Sequence, residues 1–228
     1  MLDGQTIVIE DYLEIKPYNR EKLFAALKSG KIICGPWYIL PDELLISGES
    51  HIRNYLKGTE IVAGAGTKME TAYLPDSFGH PAQMPQIVEE LRGKLGSLAS
   101  FTGELRSGER SMLLGGTLST RMYLKQKNDA VQNRMERYLE PVLAIEKLCG
   151  GKWDARGYQD YIRKKILENH PHDSICGCSI DEVHAEMVSR YECVERLENM
   201  LIQDAVVRCA YKKEEKQPER RTGLFLFG

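Results

Sequence analysis

Two hydrophobic patterns divide the chain. Up to about residue 105, short apolar runs alternate with stretches of helical spacing. Thr6-Ile7-Val8-Ile9 is a β-branched run that predicts a strand; Asn19 then stands where a helix cap is wanted, Leu23, Ala26 and Leu27 share one face, and Gly30 closes the segment. Lys31-Ile32-Ile33-Cys34 is a second strand candidate, broken by Gly35-Pro36. Ser47 to Gly58 carries Ile52, Tyr55 and Leu56 at helical spacing, and Thr71-Ala72-Tyr73-Leu74 predicts a third strand. Strands separated by crossover helices predict a parallel sheet with ligand sites at its C-terminal strand ends. Three strands are too few to close a barrel.

The second pattern has a longer period. From Thr117 onward Leu124, Val131, Met135, Tyr138, Val142 and Ile145 recur at the spacing of a long amphipathic helix, and Tyr158, Ile162 and Ile166 predict a shorter one. Ser179-Ile180-Asp181-Glu182 fits a capping box that opens a third helix through Val183, Met187, Val194, Leu197 and Leu201. Three apolar stripes predict a three-helix bundle with the Met and Tyr positions in its core. Lys212 to Arg221 is charged and reads as a linker, and Gly223-Leu224-Phe225-Leu226-Phe227 as a strand cut short. The expected organisation is α/β over 1–105, all-α over 106–211, and a linker with the start of a further domain over 212–228.

Composition narrows the function classes. At 228 residues, 42% hydrophobic and 28% charged, the chain is long enough to bury a core. With 31 Lys+Arg against 33 Asp+Glu the net charge is -2, so no basic field draws in nucleic acid. No apolar run approaches the ~18 residues of a membrane span, and Met1-Leu2-Asp3-Gly4-Gln5 has no signal-peptide pattern, so the expectation is a cytoplasmic protein without a membrane partner. Six scattered cysteines fit a reducing compartment. Cys176 and Cys178 make only a C-x-C, closer than the usual metal knuckle, and read as small loop or buried residues. A homo-oligomer is compatible with all of this.

Chemistry concentrates in two segments. In Tyr73-Leu74-Pro75-Asp76-Ser77-Phe78-Gly79-His80, an aspartate displayed after a strand beside an aromatic ring suits a sugar, whose hydroxyls meet carboxylates and whose C–H faces meet rings. The same Asp76 also fits a turn cap. In Asn169-His170-Pro171-His172-Asp173, two imidazoles and a carboxylate fall within four residues, either as a metal or acid–base cluster or as solvated loop side chains. Trp37 either lines a pocket or holds the Pro36 turn from a buried position. Asp42 and Glu43 read as supporting residues rather than catalysts.

Taken with Gly35-Pro36-Trp37-Tyr38-Ile39-Leu40-Pro41-Asp42-Glu43, Gly103-Glu104-Leu105-Arg106-Ser107-Gly108 and Leu118-Ser119-Thr120-Arg121, these segments form five landmarks in register. In this order they resemble the bacterial α-mannosidases of glycoside hydrolase family 38, a group that includes relatives of mannosylglycerate hydrolases, and the resemblance covers nearly the whole chain. It implies a partial parallel α/β barrel from the family's catalytic domain, followed by the bundle. It also implies a retaining glycosidase acting on a mannose-containing substrate with zinc in the sugar site. On that resemblance Asp76 is both nucleophile and zinc ligand, His172 is a second zinc ligand, Phe78 and Trp37 border the sugar, and Asp173 hydrogen-bonds near it.

The resemblance also implies missing pieces. The family's His-x-Asp strand, which supplies two further zinc ligands, would precede Leu2, and Asp3 does not replace it. The segment that carries the acid/base carboxylate would lie between the Asp76 strand and Gly103, where Ile87 to Leu98 leaves no room; Glu104 is the nearest substitute, and His80 or His170 the nearest further zinc donors. The expected chain is therefore truncated at both ends and internally shortened, with impaired hydrolysis, or else a non-catalytic remnant or helical interaction module.

Overall fold

The structure, a computed structural model, describes residues 2–65, 69, 71–92, 105–106 and 117–215. Where the β-branched run predicts a strand, the chain instead forms α1 (Ile7–Ile15). Ile9 is buried and Leu13, four residues on, packs against the same cluster of Leu27, Cys34 and Val62, which is the spacing of a helix face and not of a strand. The reason is context: β-branched residues favour strands only where neighbouring strands pair with them. Among the described residues the one trace of parallel pairing is the Gln5–Trp37 bridge, with the Thr6 and Ile7 N–H groups donating to the Trp37 and Tyr38 carbonyls at 2.9 and 3.0 Å. Beyond it α1 satisfies its backbone internally.

The other two expected strands, Lys31–Cys34 and Thr71–Leu74, are irregular. Among the described residues the only sheet is two-stranded and antiparallel, β1 (Gly79–His80) against β2 (Leu105–Arg106), with Gly79 opposite Arg106. In place of the parallel α/β partial barrel expected over 1–105, the described residues of that range are mostly helical. Gly103, Glu104, Ser107 and Gly108, residues 93–98 of the Ile87 to Leu98 segment, and 216–228 lie outside the described residues, while 212–215 of the expected linker are helical.

Two helices do form where the spacing predicts them. α2 (Arg20–Lys28) buries Leu27, although the Asn19 side chain donates to the Tyr12 hydroxyl at 2.7 Å instead of capping it. α3 (Gly48–Ala63) is capped by Ser47, whose hydroxyl accepts from the Ser50 N–H at 3.0 Å. The buried segment 36–40 crosses α3 at Gly58, where a Cβ would stand 2.2 Å from the Pro36 carbonyl oxygen. That approach lets Asn54, fully buried, accept from the Ile39 N–H and donate to the Ile39 carbonyl, both at 2.9 Å. Helix α3 therefore holds 36–40 as a strand neighbour would. α4 (Met84–Arg92) covers the other side through Met84, which joins Trp37, Leu40 and Tyr55.

The second half is helical as expected. α5 (Met122–Arg134) and α6 (Glu140–Leu148) run on through a π turn at Met135–Leu139. α7 (Arg156–Leu167), the single turn α8 (His172–Ile175) and the long α9 (Asp181–Glu215) complete it. Leu124, Val131, Met135, Ile162, Met187, Val194 and Leu201 share one core, and each such burial is worth about 1.5–3 kcal/mol. Tyr138 and Ile145, expected in that stripe, are exposed, and so is Tyr158, expected in the stripe of α7. The wider π turn brings the residue four positions after Met135 back over the core, so Leu139 is buried in place of Tyr138. The capping box also fails to form: the Ser179 hydroxyl donates to the Asp173 carbonyl at 3.0 Å, because the chain folds back there before α9 begins. No helix of the described residues is long and apolar enough to cross a membrane.

Candidate functional site

The two halves meet where Leu40–Glu43 passes the loop before α8. Pro41 and Pro171 form an antiparallel bridge, and the His172 N–H donates to the Leu40 carbonyl at 3.0 Å. The His172 ring nitrogen Nδ1 also lies 3.1 Å from that oxygen. A carbonyl only accepts, so Nδ1 carries a proton and Nε2 is the ring's free face, 3.6 Å from Asp173 Oδ1. The backbone of one segment thus fixes the tautomer of a side chain on the other.

The turn at 75–78 is pinned by a carboxylate. Glu43 Oε1 accepts from the Ser77 hydroxyl at 2.8 Å and meets His80 Nδ1 at 2.9 Å, while its side chain is fully buried. Burial raises the Glu43 carboxyl above its ordinary range, against the opposing pull of Ser77 and His80. Next to it Asp42 is equally buried, accepts from the Leu44 N–H at 3.2 Å, and is raised by burial against that bond and the Lys125 and His172 charges. With the turn held in this way the Phe78 ring stands edge-on to the His172 imidazole, centroids 5.9 Å apart. The two segments singled out by sequence are therefore neighbours.

Asp76 itself is exposed at the tip of this turn, and Asp173 is exposed at the start of α8. Phe78 and His172 are part-buried between them. Trp37 is 0% exposed and packs edge-on against Tyr55 at 5.6 Å, so it underlies the region from within the core. Its indole N–H has no hydrogen-bond partner. His80 serves Glu43. His170 is buried, with Nε2 2.8 Å from Asn128 Oδ1; burial, and then His51, lower it to about 3, so it is a neutral structural group facing α5.

Sequence reasoning underrated Glu43 and dismissed the cysteine pair. The available signal for Glu43 was two acids inside the apolar run from Trp37 to Ile46, a place where charge is kept only if it is held by partners. Cys176 and Cys178 have their sulfur atoms 3.4 Å apart, with Cys178 Sγ also 3.4 Å from Asp173 Oδ1. Adjacent spacing gave no sign of that, because it depends on Gly177 at φ +93°.

The zinc ion that the resemblance implies would need three or four donors. His172 has Nδ1 anchored on the Leu40 carbonyl and Nε2 turned toward Asp173. Among the described residues, however, the one group of three or more potential donor atoms drawn together is Asp173, Cys176 and Cys178, and Asp76 is not in it. Two donors fall short of the three or four of a zinc site. The Asp76–His172 pair alone does not fit the ion as a closed site.

Comparison with known proteins gives a consistent result. The profile for the glycosyl hydrolases family 38 N-terminal domain matches residues 4–98, and that for the alpha mannosidase middle domain matches 113–208. A putative mannosylglycerate hydrolase of Halalkalibacterium halodurans is 27% identical over 325 residues, covering 85% of this chain and 36% of that protein. Since 85% of 228 residues is far fewer than 325, well over a hundred positions of that relative face gaps. Alpha-mannosidase G of Dictyostelium discoideum is 34% identical over 84 residues, 36% of this chain and 7% of that one. Among solved structures, an alpha-mannosidase from Enterococcus faecalis V583 superposes with a TM-score of 0.80 at 25% identity, over 92% of this chain and 37% of that chain. A family 38 glycosyl hydrolase from Enterococcus faecalis gives 0.75 at 28% identity, over 91% and 35%. The chain spans little more than a third of the length of its longest-matching relatives.

Proposed function

Because the chain belongs to glycosyl hydrolase family 38, its two matched profiles together spanning most of its length, we propose that it carries one wall of a retaining α-mannosidase site with Asp76 as the nucleophile. The observation that supports this best is the Phe78–His172 contact, which sets the Asp76 turn beside the Asp173 loop. In this reading residues 1–105 are part of the catalytic domain, 106–211 the middle domain as a three-helix bundle, and 212–228 the lead into a further one.

The chemistry follows from an exposed carboxylate beside an aromatic ring. Phe78 takes the apolar face of a mannose ring and Asp173 accepts from its hydroxyls, which orients the anomeric carbon toward Asp76. The Asp76 oxygen forms a bond to that carbon as the bond to the leaving group breaks, and water later hydrolyses the resulting ester. Glu43 fixes the turn through Ser77 and His80. Trp37 supports the floor from within the core. In this reading Asp76 and His172 would be two donors to zinc, with further donors needed to complete its site, and the Asp76 carboxylate attacks by itself. Six free thiols support a reducing, cytoplasmic setting.

A retaining glycosidase needs a second carboxyl about 5–5.5 Å from the first to protonate the leaving oxygen. Fluoride leaves without protonation, so an α-mannosyl fluoride tests Asp76 without that group. The expected result is fluoride release by the wild type that Asp76→Asn abolishes, with alkyl α-mannosides turned over far more slowly. Equal release by both proteins, or none above background, overturns the enzymatic reading in favour of a non-catalytic helical module.

A further inference from the structure

The C-x-C in the loop between α8 and α9 lies outside the chemistry so far described. We propose that Asp173, Cys176 and Cys178 form a binding site for a zinc-class divalent ion, separate from the Asp76–His172 pair. Their ligand atoms all lie within 4.8 Å of one another. Zinc holds sulfur at about 2.3 Å and carboxylate oxygen at about 2.0 Å, so tetrahedral ligands stand roughly 3.8 Å apart for a sulfur pair and 3.5 Å for sulfur and oxygen. The observed separations, 3.4 Å from sulfur to sulfur and 3.4 Å from Cys178 Sγ to Asp173 Oδ1, are within a few tenths of those edges.

The loop is built to hold this shape. After the single turn of α8, Gly177 takes φ +93°, a conformation that side chains rarely adopt, and a Cβ there would come within 3.2 Å of Thr120 and 3.3 Å of Arg121. That turn swings Cys178 back over Asp173. Two cations on the α5 side fasten the peptide: Lys125 Nζ donates to the Cys176 carbonyl at 2.9 Å and Arg121 Nε to the Gly177 carbonyl at 3.2 Å. Cys176 is fully buried while Cys178 and Asp173 are exposed, so the trio has a closed back and an open front where a water completes four-coordination.

Two thiolates select a soft or borderline ion over magnesium or calcium. A thiol ligates as its thiolate, so a bound ion displaces protons from this loop. Asp173 has two oxygens, and ligation through one leaves the other able to meet a sugar hydroxyl. The site therefore stands whether or not Asp76 proves to be a nucleophile.

Cadmium is the probe, because its thiolate charge-transfer absorption reports sulfur ligation directly. The reduced full chain is expected to bind one tight equivalent with proton release and an ultraviolet band. Cys178→Ser, at an exposed position, is expected to remove about half the band and weaken binding roughly tenfold or more. His172→Ala is expected to keep both, which separates this site from the mannoside reading. No band in the reduced chain, a band unchanged by Cys178→Ser, or one lost in His172→Ala overturns the proposal.

Discussion

Phe78 meets His172 edge to face, with ring centroids 5.9 Å apart and planes at 74°, and this contact joins the two segments whose chemistry stands out in the sequence. Phe78 follows a turn anchored on Glu43, and His172 is anchored on the Leu40 carbonyl, so both rings depend on the same buried stretch. An aromatic pair of this kind contributes about 0.5–1.5 kcal/mol beyond its buried area. A double-mutant cycle of Phe78→Ala and His172→Ala, followed by urea unfolding, is expected to show coupling of that size. Additivity within about 0.3 kcal/mol would mean that the turn and the loop are independent.

How much of this was legible in the sequence depends on where each element finds its partners. The stripes of α5, α7 and α9 are read correctly at Leu124, Ile162 and Met187, which neighbouring helices bury at the period the residues carry, but not at Tyr158, which is exposed near the start of α7. Thr6 to Ile9 is misread because strand preference is realised only beside other strands, and here α3 takes that place along 36–40. Tyr138 is misplaced because a π turn has no signal in apolar spacing. Of the proposed site, Asp76, Phe78, His172 and Asp173 stand out in the sequence as motifs. Glu43 and the Cys176–Cys178 pair gain their meaning from contacts made by distant or folded-back chain, which local pattern does not carry.

The crossing at Gly58 gives a test of the substitute for a strand neighbour. A methyl group there meets the Pro36 oxygen, the Trp37 carbonyl carbon and the Tyr38 nitrogen at 2.2, 2.4 and 2.5 Å, all backbone atoms that cannot swing aside. Gly58→Ala is therefore expected to cost about 1–3 kcal/mol or more and to loosen the buried segment that carries Leu40 and Glu43. Gly157 in α7 faces open space, so Gly157→Ala is expected to stabilise by about 0.5–1 kcal/mol. Urea midpoints of the two variants should move in opposite directions. A destabilised Gly157→Ala or a neutral Gly58→Ala would contradict this packing.

Two buried groups in the helical half set opposite limits on pH stability. Glu198 is fully buried, with neither carboxylate oxygen hydrogen-bonded and Arg134 Nη1 3.6 Å away; burial outweighs Arg134 and raises it from 4.5 to about 8. Its raised value favours folding fully below pH 4.5, and that stability is lost as pH climbs toward 8. His170 works the other way, lowered from 6.5 to about 3 by burial, so its stability is present above pH 6.5 and lost as pH falls toward 3. Each contributes a slope of about 1.4 kcal/mol per pH unit within its window, positive for His170 and negative for Glu198. Between pH 4.5 and 6.5 the two cancel, so stability is expected to rise up to that range, stay level across it and fall from 6.5 to 8. Burial raises Asp42 and Glu43 as well, so Glu198→Gln is expected to make the falling limb shallower while leaving the acid limb in place, which makes the variant more stable than wild type at pH 8. Urea unfolding measured from pH 4 to 8.5 on both proteins checks this, and a falling limb of unchanged slope in Glu198→Gln would assign it to the other groups.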